Sequence, residues 1–381
     1  MRLVCTNLLT SFILVSLNYY GYGGFYAMAP YKLNKLPHND YAFRVIVILG
    51  VLLTGCGGSS GQSTQPTQAL GATSNTSSSS TTSNSTTASN NNCSAFSGSN
   101  SFGQSIVNTQ SCTLDHADTE REYFIHVPDV DADFTPLPVV LSFHGYTSTA
   151  ETNLSYTGLQ SFAESEKFIA VYPQGTILAS TGETHWNSGG SDNKSGADDL
   201  GFVETLLDHL EETQDIDTDR IYAIGMSNGG MMSYLLACRL SQRIAAITSV
   251  TGSMTVDSAT CTASRPVSVM QIHGVEDRVV PFDGNGDFPS IPKTMEFWAE
   301  SNGCVGDPKE SNISDITGDG HGGARTQYLD CSQGVQVDLI ALDEVGHDWP
   351  INVEGYRAHD VHAAGEIWQF LKQFSLYGKI E

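Results

Sequence analysis

Apolar residues are distributed along this chain in two alternating patterns. Short, nearly continuous apolar runs, typical of parallel strands buried on both faces, occur at residues 137–143, 168–172, 221–224, 244–250 and 266–272. Longer stretches that suit helices, several with apolar residues at helical spacing, occur at residues 152–165, 198–210, 231–240, 293–301 and 363–371. Strands that alternate with helices indicate a mostly parallel sheet with right-handed crossovers. The sequence therefore predicts an α/β fold.

Two further segments alternate between apolar and polar positions. Residues 123–127 have the pattern of an edge strand, and residues 335–342 have the pattern of an outer strand of the same sheet. Residues 175–196 are polar and rich in glycine, which predicts a long loop between two of the core elements.

The N-terminal region has a different composition, and residues 1–55 are predicted to be a targeting segment. Residues 45–53 are apolar, follow basic residues and are too short to span a bilayer, which indicates a secretory signal. The tetrapeptide Leu-Thr-Gly-Cys that ends at Cys56 resembles the bacterial lipobox, which implies cleavage before this cysteine and lipid attachment to its sulfur. An ordinary signal peptide is the alternative. Met28 is a possible start, in which case residues 1–27 are not translated.

Residues 56–92 are predicted to be the lipidated cysteine and a flexible linker. From residue 57 onward this stretch is rich in Ser, Thr and Asn and contains no charged residue. It has too few apolar side chains to offset the entropy cost of ordering, so it suits a tether. Residues 93–381 are then the folded domain. We expect an outer-membrane or cell-surface lipoprotein of a bacterium, or a secreted protein.

The charge balance excludes one class of partner. The chain has 42 acidic and 18 Lys or Arg residues, a net charge of −24, and no basic patch. We therefore expect no nucleic-acid partner. Membrane contact is expected only through the N-terminal lipid, and the domain is expected to be a monomer.

Six cysteines fall within the predicted domain. An even number in an exported chain without a C-x-x-C pair indicates disulfides rather than metal ligands. Several pairings are possible, and free buried thiols are the alternative to all of them. Pairing between neighbours, which closes local loops, predicts Cys93–Cys112, Cys238–Cys261 and Cys304–Cys331.

Two aspartate-rich stretches, residues 283–287 and 315–319, look like calcium-binding loops at first. The first has Phe288 where an EF-hand requires glycine and Thr294 where it requires a bidentate glutamate. Both stretches are better explained as turns in solvent, and we expect neither a metal nor a cofactor.

The pentapeptide Gly225 to Gly229 fits the G-x-S-x-G nucleophile elbow. It lies between the predicted strand 221–224 and the predicted helix 231–240, as this turn requires. Its glycines leave room for the strained backbone and for the closely packed neighbouring elements. Ser227 is then presented to solvent, and the Asn228 backbone N–H is directed at a developing oxyanion. An ordinary glycine-rich turn is the alternative.

The other members of a catalytic triad are predicted at the ends of later strands. Asp277 follows strand 266–272 and His347 follows strand 335–342, which gives the chain order of α/β-hydrolases. The carboxyl ends of parallel strands meet at one edge of a sheet. The sequence thus predicts Ser227 as nucleophile, His347 as its base, and Asp277 as the residue that orients this base.

Other residues carry the same functional groups. The alternatives to the predicted acid are Glu276 and Asp343, and those to the predicted base are His144, His273 and His359. His347 fits the position expected for the base in this chain order, which favours it over the other histidines, and Asp277 is the preferred acid.

A second oxyanion donor normally comes from the loop after the strand that precedes the first large helix. Here that loop follows residues 137–143, and the Tyr146 backbone N–H is the predicted donor. His144 and Trp186 are predicted to lie at the substrate pocket. The alternatives are a structural hydrogen bond for His144 and a surface-covering role for Trp186.

Together these motifs resemble the polyhydroxybutyrate depolymerase-like and feruloyl esterase-like branch of carbohydrate esterase family 1. The stretches that match, within residues 112–375, are residues 141–146, 186–189, 197–206, 225–230, 273–281 and 346–350. The resemblance implies the α/β-hydrolase fold and an exported carboxylesterase without a metal. It also places Ser227, Asp277 and His347 in the triad.

The sequence departs from the family pattern at two positions. Tyr146 stands where relatives often carry a cysteine, which leaves the shape of the acyl pocket open, and Val345 stands where a second glycine is common. We expect a serine carboxylesterase acting on feruloyl or acetyl esters of plant polysaccharide. The alternatives are an extracellular poly(3-hydroxybutyrate) depolymerase and, in another class, a catalytically inactive surface binding module.

Overall fold

The computed structural model describes residues 92–131, 136–190, 195–352 and 359–380. The predicted targeting segment, the lipidation site at Cys56 and almost all of the predicted linker lie outside these residues. Within the described part of the chain, no helix is both long and apolar enough to cross a membrane.

The described residues form strands and helices that alternate through most of the chain. The strands are β1 (Asn92–Ser99), β2 (Ser105–His116), β3 (Thr119–His126), β4 (Leu137–Phe143), β5 (Ile169–Pro173), β6 (Thr176–Leu178), β7 (Glu183–His185), β8 (Ile216–Met226), β9 (Ala246–Val250), β10 (Ser268–Gly274), β11 (Lys309–Ile313), β12 (Gly323–Tyr328), β13 (Val337–Leu342), β14 (Phe374–Ser375) and β15 (Gly378–Lys379). The helices are α1 (Ala150–Tyr156), α2 (Leu159–Glu166), α3 (Asp199–Thr213), α4 (Asn228–Arg239), α5 (Ile291–Ser301) and α6 (Ala363–Leu371).

Eleven strands form one sheet, in the order β1-β2-β3-β5-β4-β8-β9-β10-β13-β12-β11. The strands from β5 to β13 in this order are parallel to one another. The pairs at both margins are antiparallel. The predicted α/β architecture with a mostly parallel sheet is therefore confirmed.

Helices cover both faces of the parallel strands, which explains why these strands are apolar at nearly every position. In β4 all seven residues are buried. Val139 and Leu141 point to the face covered by α3, α4 and α5, whereas Val140 points to the face covered by α1, α2 and α6. Burial of alternate side chains on opposite faces fixes the strand register, because a shift by one residue would exchange the two sets.

The margins of the sheet differ from the sequence prediction. The segment predicted as an edge strand overlaps β3, which has β2 and β1 beyond it. The segment predicted as an outer strand contains β13, which has β12 and β11 beyond it. The single helix predicted over residues 152–165 is two helices. They are separated at Gly158, whose φ of 68° is left-handed and interrupts the helix.

Three disulfides join the six cysteines of the domain. They are Cys93–Cys112, Cys238–Cys261 and Cys304–Cys331. The first links β1 to β2, where the two cysteines face each other in the antiparallel register. The second joins the C-terminal turn of α4 to the loop before β10, and the third joins the loop after α5 to the loop before β13. Such crosslinks are typical of exported proteins.

Candidate active site

The turn between β8 and α4 places a serine at the carboxyl end of the parallel sheet. Ser227 has φ 54° and ψ −119°, an unfavourable backbone conformation for a residue with a side chain. Its N–H donates to the Val250 carbonyl at 2.8 Å, which fixes the turn against β9. A Cβ atom at Gly225 would collide with the backbone of Gly229, and one at Gly229 would collide with the Phe143 carbonyl. The glycines are therefore required by close backbone packing.

A buried aspartate and a partly exposed histidine form a hydrogen-bonded pair near this turn. His347 Nδ1 lies 2.7 Å from Asp277 Oδ2. Asp277 Oδ1 accepts the N–H groups of Val279 at 2.8 Å and Val280 at 2.9 Å. Burial by itself raises the pKa of Asp277, but hydrogen bonds from His273, His347 and the Val280 N–H outweigh it and leave this pKa well below the usual range. The ionised carboxylate holds the proton of His347 on Nδ1, so Nε2 is free to accept a proton.

The loops that carry this pair are joined to each other. They follow β10 and β13, which are neighbouring parallel strands. The Glu276 N–H donates to the Val345 carbonyl at 3.0 Å, and the Val275 N–H donates to the Leu342 carbonyl at 2.9 Å. A Cβ atom at Gly274 would collide with the backbone of the second loop. The relative position of aspartate and histidine is thus set by backbone contacts.

The alternative acids and bases are placed differently. Glu276 and Asp343 are exposed, and neither side chain bonds to a histidine within the described residues. His144 and His273 are fully buried, and His359 is nearly so. None of these three imidazoles is accessible enough to accept a proton from a serine at the surface of the site.

Ser227 and His347 do not form a hydrogen bond with each other within the described part of the chain. The His347 side chain is 19% exposed, and Ser227 is half-buried and follows a strand that ends at the same edge of the sheet. Contacts between a nucleophile and its base are often long without substrate and shorten when the site is occupied. The structure therefore brings the three predicted residues to one edge and directly joins two of them.

Two backbone N–H groups beside the serine have no acceptor within the described residues. They belong to Tyr146 and Asn228, the predicted oxyanion donors. Gly145 lies directly against the nucleophile, since a Cβ atom added there would be 3.6 Å from the Ser227 Cβ. This is an ordinary van der Waals separation, so the loop that carries the Tyr146 N–H packs against the nucleophile turn.

A buried histidine fixes the peptide that carries the first of these donors. His144 Nε2 accepts the Gly175 N–H at 2.9 Å, so its proton is on Nδ1 and is donated to the Gly145 carbonyl at 2.8 Å. Burial lowers the pKa of His144 to about 4, although the bond to Gly145 opposes this shift. Because the Gly145 carbonyl and the Tyr146 N–H belong to one trans peptide, fixing the carbonyl also fixes the direction of the N–H.

The prediction that Trp186 and His144 line the substrate pocket is corrected by their burial. Trp186 is only 2% exposed and His144 is fully buried, so neither side chain lines an open pocket. The Trp186 indole donates to the His144 carbonyl at 3.0 Å and packs edge-on against Phe143. The Asn228 side chain bonds to both backbone groups of Trp186, at 2.6 and 3.1 Å. These residues lie beneath the site and hold the oxyanion loop against the nucleophile turn.

An acidic cluster is formed by three residues outside the predicted site. Oxygens of Asp315, Asp319 and Asp360 come within 4.8 Å of one another. The Asp315 carboxylate accepts N–H groups from Gly318 at 2.6 Å and Gly320 at 2.9 Å. Its lone pairs stabilise a turn, which accounts for its position without a cation.

Known proteins are similar to this chain in sequence and in structure. The model of the Phospholipase/Carboxylesterase family matches residues 137–289, which span the nucleophile turn and the aspartate. The solved acetyl xylan esterase from Aspergillus awamori is similar in structure, with a TM-score of 0.51 and 15% identity over 69% of this chain and 98% of that chain. The predicted α/β-hydrolase fold is therefore confirmed.

Three curated relatives carry esterase names. A bifunctional acetylxylan esterase/xylanase of Neocallimastix patriciarum is 25% identical over a match that includes 68% of this chain and 34% of that protein. Feruloyl esterase B of Piromyces equi is 27% identical over a match that includes 67% of this chain and 46% of that protein. A probable feruloyl esterase C of Aspergillus niger is 28% identical over a match that includes 67% of this chain and 85% of that protein. The chain thus spans less than half the length of the first two.

Proposed function

We propose that this chain, which has the α/β-hydrolase fold, is an exported serine carboxylesterase that cleaves feruloyl or acetyl esters on plant polysaccharide. The observation that carries the proposal is the hydrogen bond between the buried Asp277 and His347, at the same sheet edge as the strained Ser227 turn. A serine hydroxyl is a weak nucleophile until an imidazole accepts its proton, and this imidazole has its accepting nitrogen free.

In the proposed reaction, Ser227 Oγ attacks the ester carbonyl carbon while His347 Nε2 takes the hydroxyl proton. Asp277 stabilises the resulting imidazolium and does not itself become protonated. The carbonyl oxygen becomes an oxyanion that accepts the N–H groups of Tyr146 and Asn228. Loss of one such donor typically costs on the order of 3 kcal/mol of transition-state stabilisation.

The tetrahedral intermediate then collapses. The bond between the carbonyl carbon and the leaving alcohol breaks, and His347 returns the proton to that alcohol, which leaves an acyl group on Ser227. Water, activated by the same imidazole, attacks this acyl-enzyme and releases the carboxylic acid and the free serine. No step requires a cofactor.

The substrate class is supported by the relatives together with the exported character of the domain. Relatives that cover two thirds of this chain are named as feruloyl and acetylxylan esterases. Three disulfides suit an extracellular location. An enzyme outside the cell meets polysaccharide esters directly, which agrees with this class of substrate.

The function is tested by product release from methyl ferulate, acetylated xylan and amorphous poly(3-hydroxybutyrate). We expect release of ferulate or acetate by the wild-type protein, and no release by Ser227→Ala, which removes the nucleophile. Release from poly(3-hydroxybutyrate) alone would replace the proposed substrate with a polyester. A folded wild-type protein that acts on none of the three would favour a binding module instead.

We further propose that Cys56, which lies outside the described residues, carries a lipid that anchors the protein at the cell surface. The lipobox-like sequence before this cysteine supports the proposal. A producing bacterium fed with labelled palmitate should incorporate the label into the wild-type protein but not into Cys56→Ser. Equal labelling of both proteins, or of neither, would contradict a lipid at this position.

A further inference from the structure

A chain of buried polar side chains lies behind the catalytic aspartate, on the side away from solvent. Tyr234 of α4 donates its hydroxyl to Gln271 Oε1 at 2.7 Å. Gln271 Nε2 lies 2.8 Å from His273 Nδ1. His273 Nε2 lies 2.8 Å from the Val280 carbonyl and 3.3 Å from Asp277 Oδ2. Tyr234, Gln271 and His273 are all fully buried.

One backbone carbonyl determines the direction of each hydrogen bond in this series of buried side chains. Gln271 Nε2 also lies 2.9 Å from the Gly252 carbonyl, which can only accept, so the amide nitrogen must face this group. The second hydrogen of the amide is then donated to His273 Nδ1. His273 is therefore protonated on Nε2, and its N–H is directed at the Val280 carbonyl with Asp277 Oδ2 beside it.

The His273 Nε2–H completes a ring of hydrogen bonds around the aspartate. Val280 donates its own N–H to Asp277 Oδ1 at 2.9 Å and accepts from His273 through its carbonyl. Asp277 Oδ2 lies between the two imidazoles, 2.7 Å from His347 Nδ1 and 3.3 Å from His273 Nε2. Both carboxylate oxygens are thus occupied, and rotation of the carboxylate would break several bonds together.

We propose that His273 is a positioning residue for the ester hydrolysis. Its Nε2–H holds the turn from Asp277 to Val280 and keeps the carboxylate in the orientation that binds His347. Tyr234 and Gln271 act one step further back, since they hold His273 in the tautomer that can donate. This inference rests on the proposed function only in its consequence for catalysis, because the geometry it describes exists without substrate.

The electrostatic role of His273 is opposite to that of His347. A neutral N–H donor near Asp277 makes the carboxylate less basic, and this limits how strongly it stabilises a protonated His347. The other charged side chains of the same turn, Glu276 and Arg278, are exposed to solvent. Loss of the His273 donor should therefore favour the protonated form of the catalytic imidazole at a given pH.

The test compares His273→Gln with His273→Leu in the full chain. The glutamine amide nitrogen can occupy the place of the imidazole Nε2 and keep the donor, whereas leucine fills the space without one. We expect kcat/KM on methyl ferulate to fall on the order of 10-fold to 100-fold in the leucine variant, less than the roughly 10⁴-fold associated with losing the orienting role of the triad acid. The acidic limb of its pH profile should move to higher pH. The glutamine variant should stay within about threefold of wild type, with an unmoved limb.

A proton resonance gives a second readout that does not depend on activity. The Nδ1 proton of His347, shared with Asp277, should give a low-field NMR signal in the wild-type protein. We expect this signal to shift or broaden in His273→Leu but not in His273→Gln. If the leucine variant fails to fold, His273→Asn, which is too short to reach Asp277, takes its place in both measurements.

The outcomes separate this inference from the proposed function. An unmoved pH limb and an unmoved resonance in a folded leucine or asparagine variant would overturn the role of His273, even if the wild-type protein hydrolyses esters. An inactive wild-type protein whose resonance still responds to the leucine but not the glutamine substitution would overturn the proposed function and support the positioning role.

Discussion

At the scale of single residues, the polar side chains of the site are each fixed in one orientation by their hydrogen-bond partners. Asp277 has both oxygens occupied, and His144 has one nitrogen that donates and one that accepts. Ser227 is held in an unfavourable backbone conformation by the elements around it. Backbone strain and fully hydrogen-bonded polar groups are expected in a site that is preorganised for a reaction.

The buried His144 predicts a specific dependence of stability on pH. Its pKa is about 4 in the folded protein, against about 6.5 in an unfolded chain. The unfolded chain therefore binds more protons in this range, and the folded state is destabilised as pH falls from about 6.5 to about 4. The shift corresponds to about 3 kcal/mol of unfolding free energy.

Chemical denaturation of wild type and His144→Asn across this pH range checks the prediction. Asparagine does not titrate, so the stability advantage of wild type over the variant should shrink by about 3 kcal/mol between pH 6.5 and 4. The carboxylates that also titrate there are common to both proteins and cancel in the difference. Parallel stability curves would show that His144 does not titrate with a lowered pKa.

At the scale of elements, the parallel centre of the sheet could be predicted from the sequence and its margins could not. A strand buried on both faces requires a continuous apolar run, as in β4, and such runs are visible without a structure. Strands at the margins have exposed faces and carry polar side chains. In β11 four of five residues are exposed, so its sequence resembles that of a loop.

The predicted triad follows from the same parallel strands. Ser227, Asp277 and His347 each come directly after a predicted strand, and parallel strands present their carboxyl ends at one edge. Sequence position therefore contains most of the information about which residues meet. The hydrogen bond between Asp277 and His347 depends on the register of two neighbouring strands, which the sequence does not specify.

The supporting residues could be predicted only in part. The sequence does not reveal that Trp186, in a polar loop, is buried against Phe143, because this contact depends on how the loop folds back over β4. Gln271 and His273 are visible as polar residues within an apolar strand, which signals a buried network. Their partner Tyr234 lies in a different element, so the network itself requires the structure.

At the scale of the whole molecule, the described domain presents its proposed site at one edge of a large crosslinked sheet. The same fold supports many different reactions, so fold alone does not establish activity. The assignment to an esterase rests on the arrangement of three residues and on relatives that share about a quarter of their sequence with this chain. The proposed activity therefore requires Ser227 to be an activated nucleophile.

Labelling with a fluorophosphonate, followed by mass spectrometry of the intact protein and its peptides, shows whether this serine is activated. The probe reacts with a serine that an imidazole activates, and it does not require the natural substrate to be known. We expect one adduct per chain, on the peptide that contains Ser227, and none in a folded Ser227→Ala protein. A folded wild-type protein that gives no adduct, or an adduct on another serine that persists in Ser227→Ala, would contradict this expectation.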